Sequence, residues 1–338
     1  MSNLTQFLPP GKTAPRIARM AVSNWQTRTS AADNSWRAIA WNGTVFAAVN
    51  DNQVSAGAVM TSPDGITWTI RTGVATGSHN QWHGIAWNGT VFAAVANGGA
   101  GDRVITSPDG ITWTSRVQSV VRSWSAIAWN GTVFAAVAQS GAGNRVMTSP
   151  DGITWTSRTS AADNSWRAIA WNGTVFAAVS DSGTGNRVMT SPDGITWTSR
   201  TSAADNVWRG IAWNGTVFAA VSQDGGTTHV MTSPDGITWT MRTTPDFSFQ
   251  CVAWNGVLFV APARVGAIVM TSPDGITWTS RAGNEDITFQ AIAWNGLGTG
   301  TTLLLPAAGT GTVFAAVSES GTGNRVMTCH FSKFGSPT

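Results

Sequence analysis

The chain has 338 residues, 19 Trp, 37 Gly, no Tyr, 11% charged residues and a net charge of +3. Ordinary domains carry about 25% charged residues, so this composition excludes a long-helix protein, and the 42% hydrophobic content excludes a disordered chain. No run approaches the roughly 18 apolar residues of a membrane span, and the small positive charge comes from scarce acids, so neither membrane insertion nor nucleic-acid binding is expected.

The first elements are an arm over 1–20 and a short strand. The opening Met1–Pro10 has no apolar h-region, which predicts no secretory signal. The arm carries Leu4, Phe7 and Leu8, followed by Lys12, Arg16 and Arg19. Next, Asn24-Trp-Gln-Thr-Arg28 matches the end of a segment that recurs throughout the chain, Ile-Thr-Trp-Thr-Ser-Arg.

From there the chain is one unit copied seven times. Trp-Asn-Gly recurs with its Trp at 41, 87, 129, 171, 213, 254 and 294. Periods of about 40–45 residues point to propeller blades of four strands. In the fourth copy, Ser165–Trp171 reads as strand a and Asn172-Gly173 as a two-residue hairpin turn. Thr174–Ser180 reads as strand b, Asp181–Asn186 as a polar loop and Arg187–Thr190 as strand c. Ser191-Pro-Asp-Gly194 is a second tight turn and Ile195–Arg200 is strand d. No stretch keeps a 3.6-residue period, which predicts no helix. The small Ala of strands a and b suit a crowded centre, and the bulky Trp of strand d suits the splayed rim.

The seventh copy differs. Its a–b connection is a long insertion, Leu297–Gly311, containing the apolar run Leu303, Leu304, Leu305. The copy stops after strand c at Val326–Phe331, so the missing strand d has to come from the N-terminus. The expected architecture is all-β: a seven-bladed propeller over 21–331, with blade 7 made of 287–331 plus 21–29 and a tail over 332–338. Cys251 and Cys329 are too few for a disulfide framework and are expected as free, buried thiols.

The segment Ser-Pro-Asp-Gly-Ile-Thr-Trp, ending at Trp68, Trp113, Trp155, Trp197, Trp239 and Trp278, resembles the Asp-box of sialidase-type propellers, with one residue fewer between Asp and Gly. That resemblance implies a folding motif at the c–d turn, not a catalytic site. The near-identical blades and the Leu-Thr-Gln-Phe-Leu-Pro-Pro leader are also similar to repetitive propeller proteins of bacteriophage virions. This second resemblance implies a virion-associated tail, fibre or head-decoration protein made in the host cytoplasm; the alternative locations are the bacterial cytoplasm or non-classical release.

Residues for chemistry are missing. Sialidase-type hydrolysis implies a Tyr nucleophile with Glu and three Arg, whereas this chain has no Tyr and only Glu285 and Glu319. Other glycosidases need two carboxylates flanking one bond, and the Asp here sit in repeated turns and loops. His79, His83, His229 and His330 show no metal-ligand spacing. The expectation is a non-enzyme with no catalytic residues, no metal and no cofactor.

In a four-stranded meander the a–b and c–d turns share one end, here the bottom, and the b–c and d–a connections share the other, the top. The turn Asp residues collect at the bottom and most Arg at the top. The top is the expected recognition face. Its candidates lie where the chain enters strand a: Trp36 and Arg37, Trp82 and His83, Trp124, Trp166 and Arg167, Trp208 and Arg209. An aromatic ring beside Arg and Asp suits a cell-surface glycan; the alternative is Trp buried between inner strands with Arg capping loop carbonyls. The corner of blade 7, with Leu4, Phe7, Leu8, Leu303, Leu304 and Leu305, is the expected docking contact with a virion or other protein assembly. Competing readings are a structural adaptor without ligand, a bacterial lectin-like propeller and, last, a glycoside hydrolase.

Overall fold

The computed structural model describes residues 25–52, 57–72, 80–99, 102–283, 288–295 and 312–331. They form 28 strands in seven four-stranded antiparallel sheets and no helix. Each sheet is one blade, and its strands follow chain order from a to d in blades 1 to 6. Blade 4 shows the plan: a is Trp166–Trp171, b is Phe176–Ser180, c is Val188–Ser191 and d is Thr198–Arg200. Strand a of every blade packs on strand a of the next, and that of blade 7 returns to that of blade 1, so the a strands enclose the axis.

The seventh blade closes as the sequence requires. Its strand d is Trp25–Arg28, which pairs antiparallel with strand c from Val326 to Cys329. Trp25 is buried and stacks on Phe314 at 6.3 Å. Closure matters because it covers the outer edge of strand c in blade 7, which would otherwise be an unpaired strand.

Packing between blades is bulky face on small face. In blade 4, Trp166, Ile169, Phe176, Met189 and Trp197 press on Ala135, Val137 and Val146 of blade 3. Strand b makes this possible by alternation: Phe176 and Ala178 face blade 3, whereas Ala177 and Val179 face blade 5. The same complement recurs at each interface, so each blade fits its neighbour like a wedge.

Two turns differ from the sequence expectation. The a–b connection is a four-residue loop, not a two-residue hairpin: Trp171 pairs with Phe176, and Asn172 N–H donates to Val175 O at 3.2 Å. Asn172 Oδ1 accepts from Thr174 N at 2.8 Å and Val175 N at 2.7 Å, and Gly173 takes φ 100°. The Asn side chain thus does the work that a tighter backbone turn would do. Strand d is also shorter than expected. Asp193 Oδ1 holds the N–H groups of Ile195 at 2.8 Å and Thr196 at 3.0 Å, so those residues belong to the turn.

That c–d turn is a closed polar unit. Ser191 Oγ accepts from Gly194 N at 2.8 Å and donates to Asp193 Oδ1 at 3.0 Å; Trp197 Nε1 donates to Gly194 O at 2.9 Å. Burial raises the Asp193 carboxyl, but the N–H groups of Thr196 and Ile195 and the Ser191 hydroxyl outweigh it, and the pKa ends below the ordinary value. Six copies share this geometry, at Asp64, Asp109, Asp151, Asp193, Asp235 and Asp274.

Candidate binding site at the top of the ring

The five Trp that begin strand a are core residues. Trp36, Trp124, Trp166 and Trp208 are 0% exposed and Trp82 is 1% exposed. The indole N–H groups of Trp36, Trp166 and Trp208 donate to Ala32, Ala162 and Ala204 carbonyls at 3.1, 3.2 and 3.1 Å. A ring with no exposure offers no face on which a sugar can stack. Phe249 and Phe289 fill the same position in blades 6 and 7. This placement removes the stacking half of the sequence expectation and favours its alternative, Trp packed between blades.

The residue after each Trp has a different fate. Strand a pairs with strand b through Trp36 and Asn50 and then through Ala38 and Val49, so Arg37 is an extra residue in a β-bulge. A bulge re-aims its extra side chain. The same shift singles out His83, Ser125, Arg167, Arg209 and Gln290. In blade 6 the bridge from Phe249 to Ala263 puts Gln250 at the same place.

A second position per blade meets the bulged one. It is the residue just past strand b, whose N–H donates to the residue before the buried aromatic: Asp51 to Ser35, Gln139 to Ser123, Asp181 to Ser165, Gln223 to Val207, Arg264 to Ser248 and Glu319 to Thr288. The two positions alternate around the top. Arg37 Nε bonds Asp51 Oδ2 of its own blade at 3.0 Å, and its other nitrogens reach blade 7, to Glu319 Oε2 at 3.0 Å and Gln290 Oε1 at 2.7 Å. His83 Nε2 lies 3.1 Å from Asp51 Oδ1 of the preceding blade. Arg167 Nε bonds Asp181 Oδ2, and Arg209 reaches the same oxygen at 3.2 Å and Gln223 Oε1 at 3.1 Å. Arg37 and Arg209 therefore bridge their own blade and the one before, whereas His83 reaches the preceding blade and Arg167 its own.

Around this ring the charges are uneven. Burial raises the Asp51 carboxyl, but His83 and Arg37 outweigh it and hold it below the ordinary value. Arg209 is lowered by burial first, then by Arg167, with Asp181 opposing and Arg264 and Arg37 adding to the lowering. The arc from blade 7 to blade 2 is thus acid-rich and internally paired, whereas the arc over blades 4 to 6 gathers arginines.

Outside the ring, arginine and aspartate mostly fasten the fold. The strand-d arginines lie along strand c of their own blade: Arg71, Arg158 and Arg200 Nε donate to Thr61, Thr148 and Thr190 Oγ1 at 2.7, 2.9 and 2.8 Å. The loop carboxylates of Asp33, Asp163 and Asp205 accept from Gly323, Gly143 and Gly185 N–H groups of the preceding blade at 2.6, 2.7 and 2.8 Å. Both cysteines are buried, and burial pushes the Cys251 thiol up to about 12. Among the described residues no group of three or more His, Cys, Asp or Glu could hold a metal ion. Leu4, Phe7, Leu8, Leu303, Leu304 and Leu305 lie outside the described residues.

Sequence reasoning found the bulged Arg and His but missed their partners, Asp51, Asp181, Gln223 and Glu319. A signal was there: the partner follows the bulged residue by 14 positions in blades 1, 4 and 5. Only the bulge explains why that spacing matters.

No family model matches the chain, and no curated protein does. Solved structures do match. The chain is similar to YCF48 bound to D1 peptide, with a TM-score of 0.66, 14% identity and coverage of 94% of this chain and 100% of that one. It is similar to virginiamycin B lyase from Staphylococcus aureus, with a TM-score of 0.72, 9% identity and coverage of 91% and 99%. It is also similar to the computationally designed Ika8 protein, with a TM-score of 0.56, 9% identity and coverage of 90% and 100%. At these identities the likeness is one of fold. A peptide complex, a lyase and a designed chain share that fold, so function has to be argued from the site.

Proposed function

We propose that this protein is a non-enzymatic recognition propeller whose ligand seat is the polar ring at the top of the axis, and that its ligand is a surface glycan. One observation carries the reading: a β-bulge repeated from blade to blade turns polar side chains toward one rim, where the arginines stay 23–27% exposed. Ser125 alone among them is buried, on the Val137 and Trp166 carbonyls; the core needs none of the charged ones, because Trp and Phe already fill the interfaces. Guanidinium and amide groups on a rigid rim suit directional hydrogen bonds to hydroxyl and carboxylate oxygens. The lack of Tyr and the two Glu in the whole sequence favour binding over hydrolysis. A glycan array with the purified protein and an Arg167→Gln, Arg209→Gln double variant is the test. Saccharides retained by the parent and lost by the variant support the reading; retention of none, or equal retention by both, sinks it.

The near-identity of the blades and the character of the leader favour a bacteriophage particle as the assembly this module serves, as tail, fibre or head decoration. Mass spectrometry of purified particles tests this. Copies in stoichiometric amount support it, and their absence from particles of a producing strain rejects it.

A further inference from the structure

The ring positions alternate between bulged residues and residues just past strand b, and almost every cation among them has an acid beside it. Arg37 lies between Asp51 and Glu319. Arg167 and Arg209 share one oxygen of Asp181. Arg264 is the exception. Its ring neighbours are Gln250 of its own blade and Gln290 of the next, and beyond Gln250 stands Gln223. Two of these amides are already committed, since Gln223 Oε1 accepts from Arg209 and Gln290 Oε1 from Arg37. Arg264 Nε is buried and has no hydrogen-bond partner.

An unpaired buried donor on a charged group is costly. Nothing in the packing demands this one, because the same position is Asp in blades 1 and 4 and Gln in blades 3 and 5. Gln250 and Gln223 separate Arg264 from Arg209, yet the positive charge of Arg264 still bears on Arg209. Over blades 4 to 6 the ring positions hold Arg167, Arg209 and Arg264 against the single carboxylate of Asp181. The cationic excess is local, and it faces a rim open to solvent.

We infer that the blade 4–6 arc is an oxyanion seat, in which Arg264, with Arg209 beyond the two intervening glutamines, receives the carboxylate or sulfate ester of an acidic saccharide. The saccharide part rests on the function proposed above; the oxyanion part rests on Arg264 alone. On binding, the guanidinium would turn outward so that Nε–H, buried without the ligand, and one terminal N–H donate to two oxygens of the anion, the bidentate geometry that the amides around it cannot supply. The opposite arc, closed on itself through Arg37, Asp51, His83 and Glu319, would orient the ligand by repelling a second anion.

The experiment is titration calorimetry at low and high salt with four probes: oligogalacturonate, a sulfated dextran oligosaccharide, a neutral malto-oligosaccharide and sodium sulfate. An acidic saccharide should bind at least about tenfold more tightly than the neutral one, and this margin should shrink as salt rises. Arg264→Gln should erase the margin. Arg122→Gln, which alters a top-face arginine bonded to Asn144 away from the arc, should keep it. Unchanged thermal midpoints check that both variants fold. Equal binding of neutral and acidic saccharides, or an unaffected Arg264→Gln variant, overturns the inference and leaves the glycan reading standing. Sulfate that binds and shifts the Arg264 Nε–H resonance, with no saccharide bound, upholds the oxyanion seat and overturns the glycan reading. Silence with all four probes overturns both.

Discussion

Both ends of the ring repeat a backbone device from blade to blade and differ in what they do with side chains. At the bottom, six c–d turns use the same Ser, Asp, Gly and Trp, and each carboxylate is spent on N–H groups of its own turn. At the top, the bulge recurs with the same register, but its side chain is Arg, His, Ser or Gln from blade to blade. The bottom is repeated because the turn needs each of its residues. The top is free to vary because the bulge needs none of them. A repeat protein can thus hold its scaffold constant and vary the side chains along one rim.

Changes to the shared scaffold should cost stability, and changes to the varying rim should cost little. The largest effect is expected from removing residues 1–29. Strand d of blade 7 is lost, and the inner face of Phe314 and the strand from Val326 to Cys329 lose their cover. Urea unfolding should lose its single cooperative step or shift its midpoint more than any point variant does. A near-parental midpoint would mean that the ring closes without the N-terminal strand.

Trp166→Ala comes next. It empties a fully buried indole position between blades 3 and 4, and such truncations cost about 3–5 kcal/mol. Glycan binding should fall only in proportion to the unfolded fraction. Selective loss of binding with full stability would return this Trp to the ligand site. Gly194→Ala should be milder, about 1–3 kcal/mol, because φ is +77° and a Cβ would come within 3.2 Å of Thr148 Cγ2 in blade 3.

The turn carboxylates predict an acid limit. Their folded pKa values lie below the ordinary value of 3.8, so the stability they contribute is complete above that value and drains as pH falls through the folded pKa. The thermal midpoint should therefore be flat near neutrality and drop below about pH 4. Asp193→Asn keeps an Oδ1 acceptor but cannot titrate, so its midpoint should fall less steeply in that window. A parallel decline would move the acid sensitivity elsewhere. The smallest effect belongs to the rim. Arg167→Gln breaks a part-exposed ion pair and should cost under about 1 kcal/mol, against a clear loss of ligand. A larger stability loss would make the rim part of the scaffold after all.

The sequence by itself determined the architecture. Seven Trp-Asn-Gly turns, six Ser-Pro-Asp-Gly turns and an N-terminal Trp-Gln-Thr-Arg28 left over from strand d fix the number of blades and the way the ring closes. Those residues act locally, through turn hydrogen bonds and alternation within a strand, and local physics is visible in a linear string. The site was only half legible. Arg37, His83, Arg167 and Arg209 could be singled out, but Trp36 and Trp166 looked like equal partners of the neighbouring Arg until the bulge separated them, sending the ring inward and the guanidinium to the rim. Arg264 stood alone in the sequence as a loop residue. Its significance exists only after ring closure sets it between glutamines of different blades, because whether a charge is paired depends on neighbours that the chain brings from far along its length.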